Sequence, residues 1–317
     1  MRAIDLAPIL DRYLAVRDAL GFSTRAIRPL LHEFLHFLET TLPPGPLPAH
    51  VVFTWACGDT QPRAVTTQAA RLRAVRGFLT YAKATCPEIE LPASGLLASP
   101  RRSQPYIFSP AELTALLEAA KHLPTRSAFA PLTYQTLVGL LASTGLRVGE
   151  ALRLQMADVC LAADIPYLHI RHSKFRKSRL VPLHPTIVTR LRMYIAHRQK
   201  QPHSNGLPTF FLTVRGTPLY YDTVQETFQS LLRRLGLVTP AGRRRPTLHS
   251  LRHTFAVQRL ELWARQGLPV NDWVPHLAVY LGHRHPEDSY WYLTATPELL
   301  TTAADAFQQF AETGGMR

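Results

Sequence analysis

Cysteine is scarce in this chain. Its three residues, Cys57, Cys86 and Cys160, are scattered through 317 positions and show no Cys-x-x-Cys spacing. That argues against a disulfide framework or a structural zinc site, and the expected setting is a reducing cytoplasm. No uninterrupted apolar run approaches the roughly 20 residues needed to span a bilayer, so no membrane partner is expected. The opening Met1-Arg2-Ala3-Ile4-Asp5 leads into an amphipathic helical pattern rather than a signal peptide. Internal repeats and low-complexity tracts are lacking as well. Fourteen histidines invite a metal reading, yet there is no His-Glu-x-x-His, no Cys/His cluster and no carboxylate pair in the chemistry-bearing segments. His283-Arg284-His285 has an i, i+2 spacing that splits its side chains between helix faces. Metal is therefore discounted and no cofactor is expected.

Acidic residues are also in short supply. They number 22 against 36 Lys and Arg, a net charge of +14, which favours a polyanionic partner such as nucleic acid. The first hundred residues carry a net charge of only +2, and the remainder carry +12. A solvated basic surface is the competing reading of the charge by itself.

The predicted organisation is two domains, mainly α with a small β-sheet (α+β). Apolar residues at helical spacing predict helices over 4–20, 25–39, 49–56 and 66–84, interrupted by Gly21 and by Leu42-Pro43-Pro44-Gly45-Pro46, which cannot continue a helix. This makes 1–90 an all-helical domain. On its last helix Arg73 and Arg76 are neighbours and Arg71 points elsewhere; all three are candidates for DNA phosphates, with a solvated face as the alternative. The Pro/Ser/Ala/Gly-rich stretch over 91–108 is read as a linker, long enough to let two lobes close around a duplex. A second domain over 109–317 opens with Ser109-Pro110-Ala111-Glu112, a strong helix start. Helices are expected over 110–121, 131–144, 185–199, 221–235, 249–266, 274–281, 287–292 and 297–311. Strands are expected over 167–171 and 178–182, around a basic turn.

Chemistry-bearing residues gather in that second domain. Arg147 follows Ser143-Thr144-Gly145-Leu146 at a helix junction, with Glu150 placed to orient it. Lys174 sits in the hairpin His172-Ser173-Lys174-Phe175-Arg176-Lys177, where it could protonate a leaving oxygen. Lys177 competes for that role, and Arg176 and Lys177 are otherwise backbone grips. His249 and Arg252 lie three apart on one helix face, next to His253, while Arg243, Arg244 and Arg245 suit a nonspecific phosphate grip. His283 follows Leu281-Gly282, and Tyr292 lies nine residues further on, flanked by Tyr290 and Trp291. Each residue has a structural alternative: a plain Arg–Glu pair, a lone helical histidine, an aromatic core helix. Together they are the set that a metal-free attack on a phosphodiester requires. A tyrosine hydroxyl can form a covalent intermediate, and arginine forks can hold the charge spread over phosphate oxygens.

In this order the boxes resemble the tyrosine recombinase (phage integrase) family. The resemblance rests on Thr144-Gly145-Leu146-Arg147 with Glu150, Lys174 ahead of Arg179-Leu180-Val181-Pro182-Leu183, Leu248-His249 with Leu251-Arg252-His253-Thr254-Phe255, Leu281-Gly282-His283, and Tyr292. It covers residues 109–300. Residues 1–90 are more loosely similar to the family's SAM-like core-binding domain, and Tyr290-Trp291-Tyr292-Leu293-Thr294 is similar to recombinases of transposons and integrative elements. Two departures stand out. The stretch from Leu262 to Trp273 is longer than in compact members, and an enlarged loop is expected there. The approach to the tyrosine is His285-Pro286-Glu287-Asp288-Ser289 instead of a Ser/Thr-rich segment.

The resemblance implies that Tyr292 is the nucleophile and forms a 3′-phosphotyrosyl link. Arg147, Arg252 and His283 would stabilise the transition state, Lys174 would be the leaving-group acid, and His249 would shuttle protons. It also implies double-stranded recombination sites as partners, a homotetramer on DNA, possible partner recombinases and a nucleoid-associated location. Integration, excision, dimer resolution and transposition are all open roles. A type IB topoisomerase-like rejoining activity and a catalytically inactive DNA-binding regulator are the alternatives.

Overall fold

The computed structural model describes residues 3–41, 45–58, 63–97, 104–125, 127–171, 178–202, 204, 206–237, 245–283, 285, 287–294, 296, 299–301, 304 and 308. They fall into two compact units, Met1–Arg102 and Ser103–Arg317.

The first unit consists of α1 (Ala3–Ala19), α2 (Ile27–Thr41), α3 (Ala49–Cys57) and α4 (Val65–Ala82). Their apolar stripes meet as the helical spacing predicts. Leu31, Phe34, Leu35 and Leu38 of α2 are buried in one cluster with Leu10, Val52, Phe78 and Leu79. Gly77 allows a close approach of α4 to α1, since a Cβ there would stand 3.2 Å from the Tyr13 hydroxyl.

The second unit begins with α5 (Pro110–Lys121), whose start was legible in detail. Ser109 Oγ accepts from the Glu112 N–H at 3.2 Å, and the Glu112 carboxylate accepts from the Ser109 N–H at 2.7 Å. Then come α6 (Phe129–Thr144), the short α7 (Val148–Leu152) and a 3-10 turn over Met156–Asp158. An antiparallel sheet of β1 (Val159–Cys160), β2 (Tyr167–Ile170) and β3 (Arg179–Pro182) follows, in that order. The paired residues Leu168 and Val181 are both fully buried. Strand β1, only two residues long, was not expected from the sequence. The chain continues through α8 (Pro185–Gln199), α9 (Tyr221–Arg234), α10 (Leu248–Arg265), α11 (Val270–Leu281), α12 (Glu287–Tyr290) and a 3-10 turn, Trp291–Thr294. The architecture is mainly α with one small sheet, as expected. The helix expected over 297–311 falls largely outside the described residues.

Two features differ from the sequence reading. The ends of the 91–108 stretch are packed rather than free: Leu91 and Leu97 lie against the core of the first unit, while Tyr106 and Phe108 belong to the core of the second. The Phe108 N–H donates to Thr254 Oγ1 at 2.9 Å. The Leu262–Trp273 stretch is not an enlarged loop. It extends α10 to Arg265 and starts α11 at Val270, leaving a four-residue joint. Gly267, at φ +69°, turns the chain there while Leu268 donates back to the Trp263 carbonyl at 3.0 Å.

Gly145 fixes the spacing at the heart of this unit. It ends α6 at φ +61°, and a Cβ on it would meet Phe255 Cδ1 of α10 at 2.5 Å and Leu281 Cδ2 of α11 at 3.0 Å. Left-handed strain and overpacking then act together. Gly145→Ala is expected to lower stability by about 2–4 kcal/mol in urea denaturation.

Candidate active site

The last turn of α11 organises the site. A helix C-terminus presents carbonyls with no intrahelical partner and carries partial negative charge. Three consecutive carbonyls here each receive a guanidinium. Arg179 Nε donates to Tyr280 O at 2.8 Å, Arg252 Nη2 to Leu281 O at 2.7 Å, and Arg147 Nη2 to Gly282 O at 2.9 Å. The three arginines come from β3, α10 and the start of α7. Arg252 is also tied to Gly145 O at 2.8 Å.

Glu150 is the counter-charge. It is 4% exposed and binds Arg147 at 3.0 Å, while Arg179 grips both of its oxygens at 3.1 and 2.9 Å. Burial pushes this carboxyl up, but the Arg179 fork and then Arg147 outweigh it, leaving Glu150 below the ordinary carboxylate range. Burial and the neighbouring Arg147 charge act on Arg252 in the opposite sense and bring it down to about 10. It is still a cation at neutral pH.

His249 and Arg252 share a face of α10, as their spacing predicts. The His249 imidazole is lowered to about 4, by desolvation first and then by the Arg252 and Arg147 charges. Its ring remains exposed, and water on that open face limits the desolvation contribution. The two cations act in the same direction, so the ring is neutral at pH 7 and can accept a proton. His283 follows Gly282 (φ +69°) and hydrogen-bonds Ser289 Oγ through Nδ1 at 2.7 Å.

Tyr292 is 1% exposed. Its hydroxyl lies 3.1 Å from His253 Nδ1, its ring is near parallel to His283 at 6.3 Å, and Trp291 packs at 4.4 Å. Tyr290, the rival tyrosine, is 41% exposed. The structure thus brings Arg147, Glu150, His249, Arg252, His283 and Tyr292 into one neighbourhood. Lys174, Arg176, Lys177, Arg243 and Arg244 lie outside the described residues. Among the described residues, no three His, Cys, Asp or Glu side chains form a set able to hold a metal ion.

Two of the expected DNA contacts need correction. Arg71 is 6% exposed, forms a bidentate pair with Glu33 at 2.8 and 3.1 Å, and lies 3.7 Å over the Trp55 ring. Its charge is spent inside the first unit, because α2 brings Glu33 opposite it. Arg76 is half-buried and donates to the Pro92 carbonyl. Arg73 and Arg245 are exposed. The sequence reading also passed over two residues. His253, treated only as a neighbour of Arg252, is the one that touches the Tyr292 hydroxyl. Arg179 carried a usable signal: in β3 it shares the inward face with buried Val181, while Leu180 between them is 58% exposed.

The neutral His249 can be tested directly. Its ring is expected to titrate well below 6.5 in a nitrogen-15 NMR pH series, and a midpoint at or above 6.5 would mean that the two arginines do not reach it. The folded value lies below the unfolded one, so any stability linked to this ring is complete above pH 6.5 and is lost as pH falls from 6.5 toward 4.

Comparison with known proteins agrees with this geometry. The phage integrase family matches residues 107–298. A Sinorhizobium fredii protein named as an integrase/recombinase (y4rB) is 36% identical over 299 residues, covering 93% of this chain and 94% of the relative. The tyrosine recombinase XerC of Chlamydia trachomatis is 28% identical over 234 residues, covering 72% of this chain and 67% of the relative. The fold is similar to that of the Tn1549 transposon integrase in complex with transposon right-end DNA, with a TM-score of 0.71 at 14% identity over 98% of this chain and all of the other. It is also similar to a lambda integrase tetramer bound to a Holliday junction, with a TM-score of 0.65 at 18% identity over 90% of this chain and 76% of the other. The chain belongs to the phage integrase family, the tyrosine recombinases, and is a site-specific recombinase enzyme.

Proposed function

We propose that this recombinase cuts and rejoins double-stranded DNA sites through a 3′-phosphotyrosyl intermediate on Tyr292. The observation that carries the reading is the set of three guanidiniums held at the end of α11, beside a tyrosine packed on His283. The Tyr292 oxygen attacks the scissile phosphorus and the P–O5′ bond breaks. The tyrosine proton passes to neutral His249, and Lys174 protonates the departing 5′ oxygen. Arg147, Arg252 and His283 hold the charge on the nonbridging oxygens. One phosphoester replaces another, so the 5′-hydroxyl of a partner strand can reverse the step without a nucleotide.

Tyr292 and Arg252 are each 1% exposed. Engaging a duplex phosphate therefore requires the segment carrying Tyr292 to shift and the His253 contact to break. Residues 1–90 act as the core-binding domain in this reading, with 91–108 as linker and 109–317 as catalytic domain. The active assembly is a tetramer on two sites, located with the nucleoid. Integration, excision or transposition of DNA is the role in this reading, in keeping with a relative named as an integrase/recombinase.

Tyr292→Phe is expected to retain DNA binding and lose covalent capture of a nicked suicide duplex. Capture that persists through Tyr290 would overturn the assignment of the nucleophile. Arg252→Ala should slow cleavage about 100- to 1000-fold, while affinity stays within about threefold because one phosphate contact among many is lost. Parallel loss of both, read by single-turnover cleavage and gel shift, would make Arg252 structural instead.

A further inference from the structure

We propose that Arg179 is a positioning residue for strand cleavage, acting through Glu150 on Arg147 and through the Tyr280 carbonyl on the turn before His283. This rests on the recombinase reading above. Arg179 itself is only 12% exposed at its side chain, so it serves by placing other groups and does not grip DNA.

The electrostatic part follows from burial. Glu150 sits almost out of solvent, where a carboxylate paired with Arg147 alone would cancel the charge that a scissile phosphate needs. Arg179 prevents this by engaging both carboxylate oxygens at 3.1 and 2.9 Å, while Arg147 takes one at 3.0 Å. Two guanidiniums against one carboxylate leave a surplus positive charge, and Arg147 is the more open of the two arginines, at 27%. Arg147 can thus be oriented by Glu150 without being neutralised by it.

The geometric part concerns α11. The Arg179 fork fills the space beneath Gly282, where a Cβ would stand 2.9 Å from Nη1, and its Nε holds the Tyr280 carbonyl at 2.8 Å. The next two carbonyls hold Arg252 and Arg147. Arg179 is also the first residue of β3, two positions after the segment 172–177 that contains Lys174. One side chain thereby ties the start of β3 to α7 and to the turn before His283.

The test uses the full chain and a nicked duplex that the wild-type protein selects, by covalent capture, from a pool randomised across its core. Arg179→Met should slow single-turnover cleavage about 100-fold, with affinity for that duplex within about threefold of wild type. Glu150→Gln combined with Arg179→Met removes the carboxylate that would otherwise neutralise Arg147 and should cleave about tenfold faster than Arg179→Met alone. Arg179→Lys keeps the charge without the fork, and it too should exceed Arg179→Met by about tenfold. A methylphosphonate at the scissile position carries no charge, so on it the Arg179→Met penalty should shrink to below about tenfold. A merely structural role would not distinguish the charged substrate from the neutral one. The proposal is overturned by wild-type cleavage in Arg179→Met, by equal penalties on both substrates, or by a double variant or lysine variant as slow as Arg179→Met. A wild-type protein that captures no duplex overturns the recombinase mechanism itself, and the role of Arg179 with it.

Discussion

The site depends on how the end of α11 is satisfied. Tyr280, Leu281 and Gly282 present successive carbonyls at the negative end of a helix, and each takes an arginine from a different element. In most helices water or a local cap would serve. Here the backbone turn at Gly282 and His283 serves Ala278 and Val279, and three guanidiniums from the start of α7, β3 and α10 take the next three carbonyls, so completing the helix end is the same act as assembling the cluster. Gly282 makes this possible by turning the chain left-handed at φ +69°, with no side chain to displace Arg179. Gly145 does the corresponding work on the opposite wall, where its carbonyl holds Arg252 and its missing Cβ admits Phe255.

Concentrating like charges costs energy, and the surroundings show how it is offset. Glu150 lies between two of the arginines. It is buried enough that losing a partner would cost about 3–5 kcal/mol, so the network is held together from within. His249 responds by staying neutral. A fourth nearby cation would have raised the repulsion further, whereas a neutral imidazole is available as a base. The arginine field therefore sets the protonation state of the group beside it.

Much of this was legible in the sequence where local chemistry decides the outcome. Ser109 to Glu112 read as a helix start because a capping box needs only neighbours in the chain. Arg147, His249, Arg252, His283 and Tyr292 could be singled out as candidates because their order and spacing match the boxes of a known family. What was missed depends on partners distant in sequence. Arg71 looked like one more surface arginine on α4 until α2 placed Glu33 against it, 38 residues away. The Leu262–Trp273 stretch looked like an inserted loop. Its residues extend two helices instead, because Gly267 and Pro269 compress the turn between them. Arg179 was visible only as part of a motif, and its bonds to Glu150 and Tyr280 span 29 and 101 residues.

The burial of Tyr292 fits the thermodynamics of a reaction that conserves its bond energy. In the proposed mechanism a phosphoester passes from DNA to tyrosine and back with little chemical drive in either direction, so control must come from who meets whom. An exposed tyrosine beside three arginines would be free to act on any phosphate that arrived. Here the hydroxyl is held by His253, the ring lies between His283 and Trp291, and the segment from Glu287 to Thr294 is made of short turns rather than one long helix. These turns are held by the side chains they bury, Tyr292 and Ser289, and not by a run of helical hydrogen bonds. The arginine cluster, by contrast, is fastened to helices and a strand at every point. In the proposed mechanism the arginine cluster, fastened at every point, would bind charge, and the segment of short turns would supply the tyrosine that forms the bond. With Tyr292 and Arg252 both buried, the movement that would free the tyrosine is the same movement that would open Arg252 to a phosphate.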